Sequence, residues 1–343
     1  MSLPAPRRRI RLRNERRWKA DLRKEVLEAR GRISEHIRET PVELSLYLGR
    51  LGNCRVHLKL ESLQITGSFK LRGAMNKLLS LGREERDRGV VTASSGNHGA
   101  AFAYLLDKFG CRGTIFLPEY VSRTKLEALR LSGAELQIFG DDCIKAEARA
   151  KEVAERGNLT YISPYNDMKI IGGQGTVAVE LEKQVGKMDA VLVPVGGGGL
   201  ISGVAGYLKS VDEKIEIVGC QPENSAVMYE SVRAGRILDL ESKPTISDGT
   251  AGGIEQGAIT FDICRSLVDD FVIVSEREIK EAIRLVIDKH QMLVEGAAAL
   301  SVAAFVKTKE RFENKNVVLI LSGAKIDVEK LKEVLNMREH END

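Results

Sequence analysis

From about residue 56 onward, short runs of apolar, mostly β-branched residues recur along the chain. Most are separated by stretches whose apolar residues fall at helical spacing. V-H-L-K-L (56–60) predicts a strand. A helix follows from Ser68, with Leu71, Met75, Leu78 and Leu79 at helical spacing and Thr66 or Ser68 as the expected cap. G-V-V-T-A-S-S (89–95) and G-T-I-F-L-P (113–118) each predict a strand leading into a helix. The second of these helices, T-K-L-E-A-L-R-L-S-G, ends on a glycine that suits a helix terminus. E-L-Q-I-F-G (135–140), D-A-V-L-V-P-V (189–195), E-I-V-G-C (216–220), F-V-I-V (271–274) and N-V-V-L-I-L-S (316–322) complete the set. Continuous apolar strands alternating with helices predict an α/β fold, with parallel sheets covered on both faces. In such sheets ligands bind beyond the carboxyl ends of the strands, so the residues just after each strand matter most.

Composition narrows the class. A chain of 343 residues suggests about two domains, and 43% apolar with 29% charged residues is an ordinary soluble mix. No apolar run approaches the ~18 residues of a membrane span. The five cysteines are scattered, with no C-x-x-C pair, which points to reduced thiols in the cytoplasm. No metal-ligand spacing occurs among the cysteines and histidines, so no metal site is expected. The net charge of +3 splits into +7 for residues 1–20 and −4 for the remainder. The basic head lacks the apolar segment of a signal peptide and the serines of a transit peptide. It reads as a solvated or subunit-contacting arm over residues 1–25, and it is too short to predict a nucleic-acid partner.

Four positions carry candidate chemistry. P-V-G-G-G-G-L-I-S-G (194–203) joins a strand to a helix, and four glycines remove every Cβ from the turn. Its backbone N–H groups can close around an anion at the helix N-terminus, and a merely flexible turn would not bear that entropy cost. The dinucleotide fingerprint fails, because its best register ends on Ser202. The P-loop pattern fails as well. S-S-G-N-H-G (94–99) joins another strand to a helix. It suits a carboxylate or second anion, or simply a capping serine with a Gly-Asn turn. Ser322 ends the last strand, either as a cap or as a hydroxyl in the crevice. Lys70 sits in the first turn of its helix, where the dipole disfavours a cation. It is a surface lysine or an amine of lowered pKa suited to Schiff-base chemistry. Phosphate cradle, amine nucleophile and hydroxyl for a ring nitrogen together form the parts of a pyridoxal-phosphate (PLP) site.

S-F-K-L-R-G (68–73), S-S-G-N-H-G, G-G-Q-G-T (172–176), V-P-V-G-G-G-G-L-I-S-G and L-S-G together resemble the fold-type-II PLP enzymes. The closest resemblance is to the serine/threonine dehydratases (threonine ammonia-lyases) and serine racemases, over about residues 27–330. The resemblance implies a two-domain fold like the tryptophan synthase β subunit, with parallel or mixed twisted sheets covered by helices. A small domain, 90–163, would interrupt a large one, 26–89 and 164–343. Lys70 would carry PLP and take the substrate Cα proton, with Phe69 flanking the ring. Asn97 would bond the ring hydroxyl, and Gly196, Gly197, Gly198, Gly199 and Leu200 would hold the phosphate. Ser322 would face the pyridine nitrogen. Ser94, Ser95, Asn97 and His98 would line the substrate carboxylate site. A neutral hydroxyl at the ring nitrogen makes a weaker electron sink than an aspartate would, which favours β-elimination over transamination.

The implied activity is dehydration and deamination of L-threonine or L-serine to a 2-oxo acid and ammonia, by a homodimer. Racemisation of serine or aspartate, with Ser95 as a second acid/base, uses the same residues. So does elimination from 3-hydroxyaspartate, for which Lys325 would attract the second carboxylate. A dinucleotide-binding oxidoreductase is the alternative from another class, on the strand, glycine turn and helix at 189–206. S-P-Y-N-D (163–167) leans towards the dehydratases. Gln221 and Val227 stand where metal-dependent relatives carry carboxylates, which argues against a divalent cation. The chain runs about twenty residues past Ser322. That length implies no regulatory amino-acid-binding domain.

Overall fold

In the computed structural model, residues 5–119, 121, 123–130, 133–141 and 143–337 are described. Their ten strands are β1 (Val42–Ser45), β2 (Arg55–Leu60), β3 (Val90–Ala93), β4 (Gly113–Leu117), β5 (Glu135–Ile138), β6 (Thr160–Tyr161), β7 (Ala190–Pro194), β8 (Glu216–Pro222), β9 (Asp270–Val274) and β10 (Asn316–Leu321). One sheet has the order β1-β2-β10-β7-β8-β9 and is parallel except at its β1 edge. The other has the order β5-β4-β3-β6 and is parallel throughout. All eight strands expected from the apolar runs are present. β1 and β6 are additions, short and with few buried positions.

The six-stranded sheet shows why its strands are apolar without alternation. Val191, Val193, Val318 and Ile320 pack on one face with the helices Met168–Val185 and Gly199–Val211. Ala190, Leu192, Val317, Leu319 and Leu321 pack on the other with the helix Gly296–Lys307, whose residues 296–305 are all buried. Successive side chains point to opposite faces, and both faces are covered.

The N-terminal segment departs from the expectation of an arm over residues 1–25. One helix, Ala5–Ile33, runs through that boundary. Leu22, Val26, Ala29 and Ile33 recur at helical spacing and are fully buried, and Trp18 packs against the same core. The helices beside it approach closely through the glycines of G-G-Q-G-T. A Cβ on Gly203 would lie 2.3 Å from the Ile171 carbonyl and 2.6 Å from the Gly175 nitrogen.

The helix Lys70–Ser80 is the element that positions the site. Its apolar face, Leu71, Ala74, Met75 and Leu78, is fully buried. The expected caps are absent. Phe69 occupies the cap position without a side-chain bond, and the Thr66 and Ser68 hydroxyls are buried without partners. The reason lies in the chain entering the helix. Gly67 is left-handed, at φ +76°, and Ser68 bridges antiparallel to Gly323. Phe69 N–H donates to the Ser322 carbonyl at 3.1 Å. Residues 66–69 are thus tied to the loop after β10, out of capping geometry.

Arg72, two residues on, is wholly buried. Its guanidinium donates to both oxygens of Glu61, each at 2.7 Å, and to Glu180 at 2.6 and 2.8 Å. Lys59 Nζ donates to Glu180 at 2.6 Å and to the Thr40 carbonyl at 2.7 Å. All four ionised side chains have no exposure, and their formal charges cancel. Burial pushes the Glu61 carboxyl up, but the Arg72 charge and its bonds outweigh burial and hold it below the usual range.

Removing one partner of such a network strands a buried charge, which costs about 3–5 kcal/mol. Arg72→Met is expected to lose that much unfolding free energy, read from the midpoint of a urea transition. A loss below about 1 kcal/mol would show that the carboxylates find other partners. Gly203→Ala is expected to cost about 1–3 kcal/mol by overpacking, in the same measurement. A neutral outcome would show that the two helices separate freely.

Candidate active site

β2, β7 and β10 are parallel and adjacent, so the residues beyond them share one edge of the large sheet. Lys70 lies there half-buried, the first residue of its helix. Its Nζ donates to the Pro164 carbonyl at 2.8 Å and sits 5.4 Å from the Phe69 ring centroid. Burial lowers its pKa to about 8, against the opposing pull of the Glu147 and Glu295 carboxylates.

The next residue, Tyr165, is the floor of the glycine loop. A Cβ on Gly197 would fall 2.4 Å from the Tyr165 ring, inside van der Waals contact. On the other side, a Cβ on Gly196 would lie 3.0 Å from the backbone of Thr250. Gly198 is left-handed, φ +87°, and caps the helix Gly199–Val211 with no side chain. The first intrahelical bond is Ser202 N–H to the Gly198 carbonyl, so the N–H groups of Gly199, Leu200 and Ile201 have no acceptor within the helix. The loop is a cradle of backbone donors, shaped by a tyrosine whose hydroxyl accepts from Glu255 N–H at 2.9 Å. One peptide unit, Pro164–Tyr165, therefore touches both the amine and the cradle.

A second helix N-terminus opens after β3. Gly96 caps the helix Asn97–Phe109, and Ser94, Ser95 and Asn97 are half-buried around it. Ser94 Oγ accepts from Gly96 N–H at 3.3 Å. The His98 side chain turns inward. Its ring is buried, with Nε2 3.1 Å from both the Ile162 carbonyl and Thr92 Oγ1. A carbonyl only accepts, so Nε2 carries the proton. Burial, reinforced by the Lys70 charge, drops the imidazole pKa to about 3. The ring is neutral, and its remaining nitrogen, Nδ1, is an unpartnered acceptor. The imidazole therefore offers no donor to a carboxylate, whereas the His98 backbone N–H remains in the first turn of its helix.

The two sheets meet at Glu295. Asn97 Nδ2 donates to its Oε1 and Oε2 at 2.8 and 2.9 Å, and Lys325 N–H donates to Oε2 at 3.1 Å. Burial raises the Glu295 carboxyl to about 7. Ser322 is buried in the same loop, 2% exposed. Near the cleft, burial also raises the half-buried Glu147 carboxyl to about 7. Glu255, which pairs with Lys151 and Asn166, contributes to that rise. Lys70, Phe69, Asn97, Ser94, Ser95, the loop 196–200 and Ser322 thus gather at the facing strand ends.

Glu295 and Tyr165 are absent from the sequence-based site. A signal for Glu295 was present. It is a lone carboxylate directly before a helix of ten buried residues, where it must find a partner. No comparable signal marks Tyr165, whose role depends on a glycine 32 residues away in sequence. Among the described residues no group of three or more histidine, cysteine or acidic side chains could hold a metal ion.

The residues fit a phosphorylated pyridine aldehyde. The cradle admits no Cβ and presents donors to a phosphate. The amine is of lowered basicity. The carbonyl oxygen of Asn97 is buried with no partner in the protein. Comparison with known proteins agrees. The family profile described as "Pyridoxal-phosphate dependent enzyme" matches residues 33–323. An L-threonine ammonia-lyase from Thermotoga maritima is 38% identical over 312 residues, 91% of this chain and 77% of that protein. The structure of the processed form of threonine deaminase isoform 2 from Solanum lycopersicum has a TM-score of 0.87 and 34% identity, covering 92% of each chain. That of maize serine racemase has a TM-score of 0.85 and 32% identity, covering 91% of this chain and 96% of that one. These matches set aside the dinucleotide-binding oxidoreductase. An amine, a glycine cradle and a crevice hydroxyl on one sheet edge, under a profile spanning most of the chain, place this protein in the family of pyridoxal-phosphate-dependent enzymes.

Proposed function

We propose that this protein dehydrates and deaminates L-threonine or L-serine, releasing a 2-oxo acid and ammonia. The observation that carries this reading is the Lys70 amine, held on Pro164 beside the glycine cradle that Tyr165 shapes. The named relatives act in the same sense.

On this reading Lys70 carries the cofactor, beside Phe69. Gly196, Gly197, Gly198, Gly199 and Leu200 hold its phosphate, Asn97 its ring hydroxyl, and Ser322 its ring nitrogen. Bound PLP supplies a conjugated system that accepts the electrons left when the substrate loses its Cα proton. Ser94, Ser95 and the free backbone N–H groups of the helix that begins at Asn97, that of Asn97 among them, take the substrate carboxylate. Lys70 takes the Cα proton, and its lowered pKa keeps the amine a competent base near neutral pH. The proton taken by Lys70 passes to the β-hydroxyl, which leaves as water, and a water molecule later hydrolyses the released enamine to the 2-oxo acid and ammonia. Ser322 offers a hydroxyl rather than a carboxylate, so no fixed negative charge holds the ring nitrogen protonated. That favours prompt loss of the β-hydroxyl.

The fold likeness to maize serine racemase supports a second reading, racemisation. Ser95, half-buried in the same turn, would then act as the second acid/base. We read residues 90–163 as a small domain between 26–89 and 164–343, since the four-stranded sheet draws all its strands from Val90–Tyr161. Free thiols at Cys54, Cys111, Cys220 and Cys264 support a reducing, cytoplasmic setting. The assembly proposed is a homodimer.

Purified protein with PLP is expected to be yellow, and borohydride to bleach it while fixing the mass on Lys70. Lys70→Ala should abolish release of 2-oxo acid from a panel of L-threonine, L-serine and 3-hydroxyaspartate. Retention of that activity would refute the mechanism. Chiral analysis of recovered serine separates lyase from racemase. The rate of PLP capture by the apo-protein should follow the neutral fraction of Lys70. With a pKa of about 8, that fraction rises about tenfold per pH unit below 8 and levels off above it. A rate still climbing steeply from pH 9 to 10 would mean an unperturbed lysine.

A further inference from the structure

Glu295 belongs to neither the amine nor the cradle, yet it is bonded to both walls of the site. It is 4% exposed and directly precedes the buried helix Gly296–Lys307 without capping it. Its backbone N–H donates to the Gly323 carbonyl at 3.2 Å, and its Oε2 accepts from Lys325 N–H. These two bonds clasp the loop that carries Ser322. The loop is shaped around the carboxylate. A Cβ on Gly323 would lie 2.5 Å from Glu295 Oε1 and 2.8 Å from its Cδ. On the other wall, both oxygens take the Asn97 amide nitrogen.

Above neutral pH, where Glu295 is ionised, its carboxylate accepts hydrogen bonds and donates none. An asparagine amide has two ends of nearly equal shape and opposite polarity, and its orientation is set by its partners. Facing Glu295, only the NH₂ end can turn inward. The Asn97 carbonyl oxygen must then point elsewhere, and it is buried with no partner in the protein. The amide therefore shows the cleft one fixed face.

We propose that Glu295 is a positioning residue, which locks the Asn97 amide in one of its two orientations and ties it to the Ser322 loop, so that the cofactor ring hydroxyl meets a predetermined partner. This rests on the assignment of Asn97 to the ring hydroxyl made above. Glutamine at this position would keep the shape but could both donate and accept. The amide could then turn over, and Lys325 N–H would compete for the single remaining oxygen.

The test uses the full chain reconstituted with PLP, comparing wild type, Glu295→Gln, Glu295→Asp, Asn97→Ala and the double variant Asn97→Ala/Glu295→Gln. Four quantities are read: PLP dissociation constant, visible absorption band, kcat and KM for L-threonine, and the thermal midpoint of the apo-protein. Loss of one charge-assisted bond corresponds to about tenfold or more. Glu295→Gln is expected to weaken PLP binding about tenfold, displace the band and lower kcat with little change in KM. The apo-protein midpoint should stay within a few degrees. In the Asn97→Ala background the glutamine change should have no further effect, since Glu295 acts through that amide. Glu295→Asp, still acceptor-only but one carbon shorter, should weaken binding less and leave the band in place. It reads the proposal even if the glutamine variant does not fold.

Wild-type affinity and band in Glu295→Gln, with Asn97→Ala impaired, would overturn this inference and leave the Asn97 assignment standing. Additive effects in the double variant, or an aspartate variant as damaged as the glutamine one, would also overturn it. An unimpaired Asn97→Ala would remove the Asn97 assignment and the inference with it. A protein that takes up no PLP would fail the functional reading itself.

Discussion

The buried charge network around Arg72 is the constraint on which the site depends. Arg72 follows Lys70 by two residues, which on an α-helix places the two side chains about 200° apart. The guanidinium is held by four short bonds to Glu61 and Glu180, and Lys59 completes the neutrality. Rotating the helix would pull a buried cation off two buried anions. The helix therefore has one azimuth, and the opposite side, with Lys70, faces the cleft. Four desolvated ions are a poor source of stability, because apolar residues of similar volume would often serve as well. Their value here is orientation. Glu61 follows β2, Lys59 lies on it, and Glu180 belongs to the helix Met168–Val185, so the network joins the sheet edge to two helices.

Within the cleft, low polarity moves Lys70, Glu295, Glu147 and His98 towards their neutral forms. Lys70 falls to about 8, Glu295 and Glu147 rise to about 7, and His98 falls to about 3. The positive potential that anions need comes instead from backbone N–H groups at two helix N-termini, which cannot be titrated away. This division suits an amine that must be a nucleophile and a base near pH 7.

The two sheets contribute unlike parts. The six-stranded sheet supplies the amine, the cradle and the crevice hydroxyl, and its edge is made rigid by packing on both faces. The four-stranded sheet supplies the Asn97 turn. Glu295 and the Pro164–Tyr165 segment are where the two are joined by hydrogen bonds and ring contact. Positioning across the cleft thus depends on a few bonds, whereas positioning within each wall depends on core packing.

The eight principal strands were legible in the sequence because strands buried on both faces leave unbroken apolar runs. Lys70, the glycine loop and the Asn97 turn were legible because each is a local pattern at a strand end, where an α/β sheet binds ligands. The β6 pair was not, since two residues carry no periodicity. The buried helix face of Leu22, Val26, Ala29 and Ile33 was hidden behind a basic head that suggested a free arm, although its apolar spacing is helical. The caps at Thr66 and Ser68 failed because a non-local bridge to Gly323 overrode local capping. The neutral state of His98 depends on its burial and on the Lys70 charge, its orientation on the Ile162 carbonyl, and the role of Glu295 on Asn97, 198 residues away in sequence. By itself the sequence determined which elements form and which residues stand at their ends, because periodicity and turn chemistry are local. Only the tertiary structure decided which of those residues share a hydrogen bond, and so their charge and direction, because desolvation and partner geometry arise once distant segments are packed together.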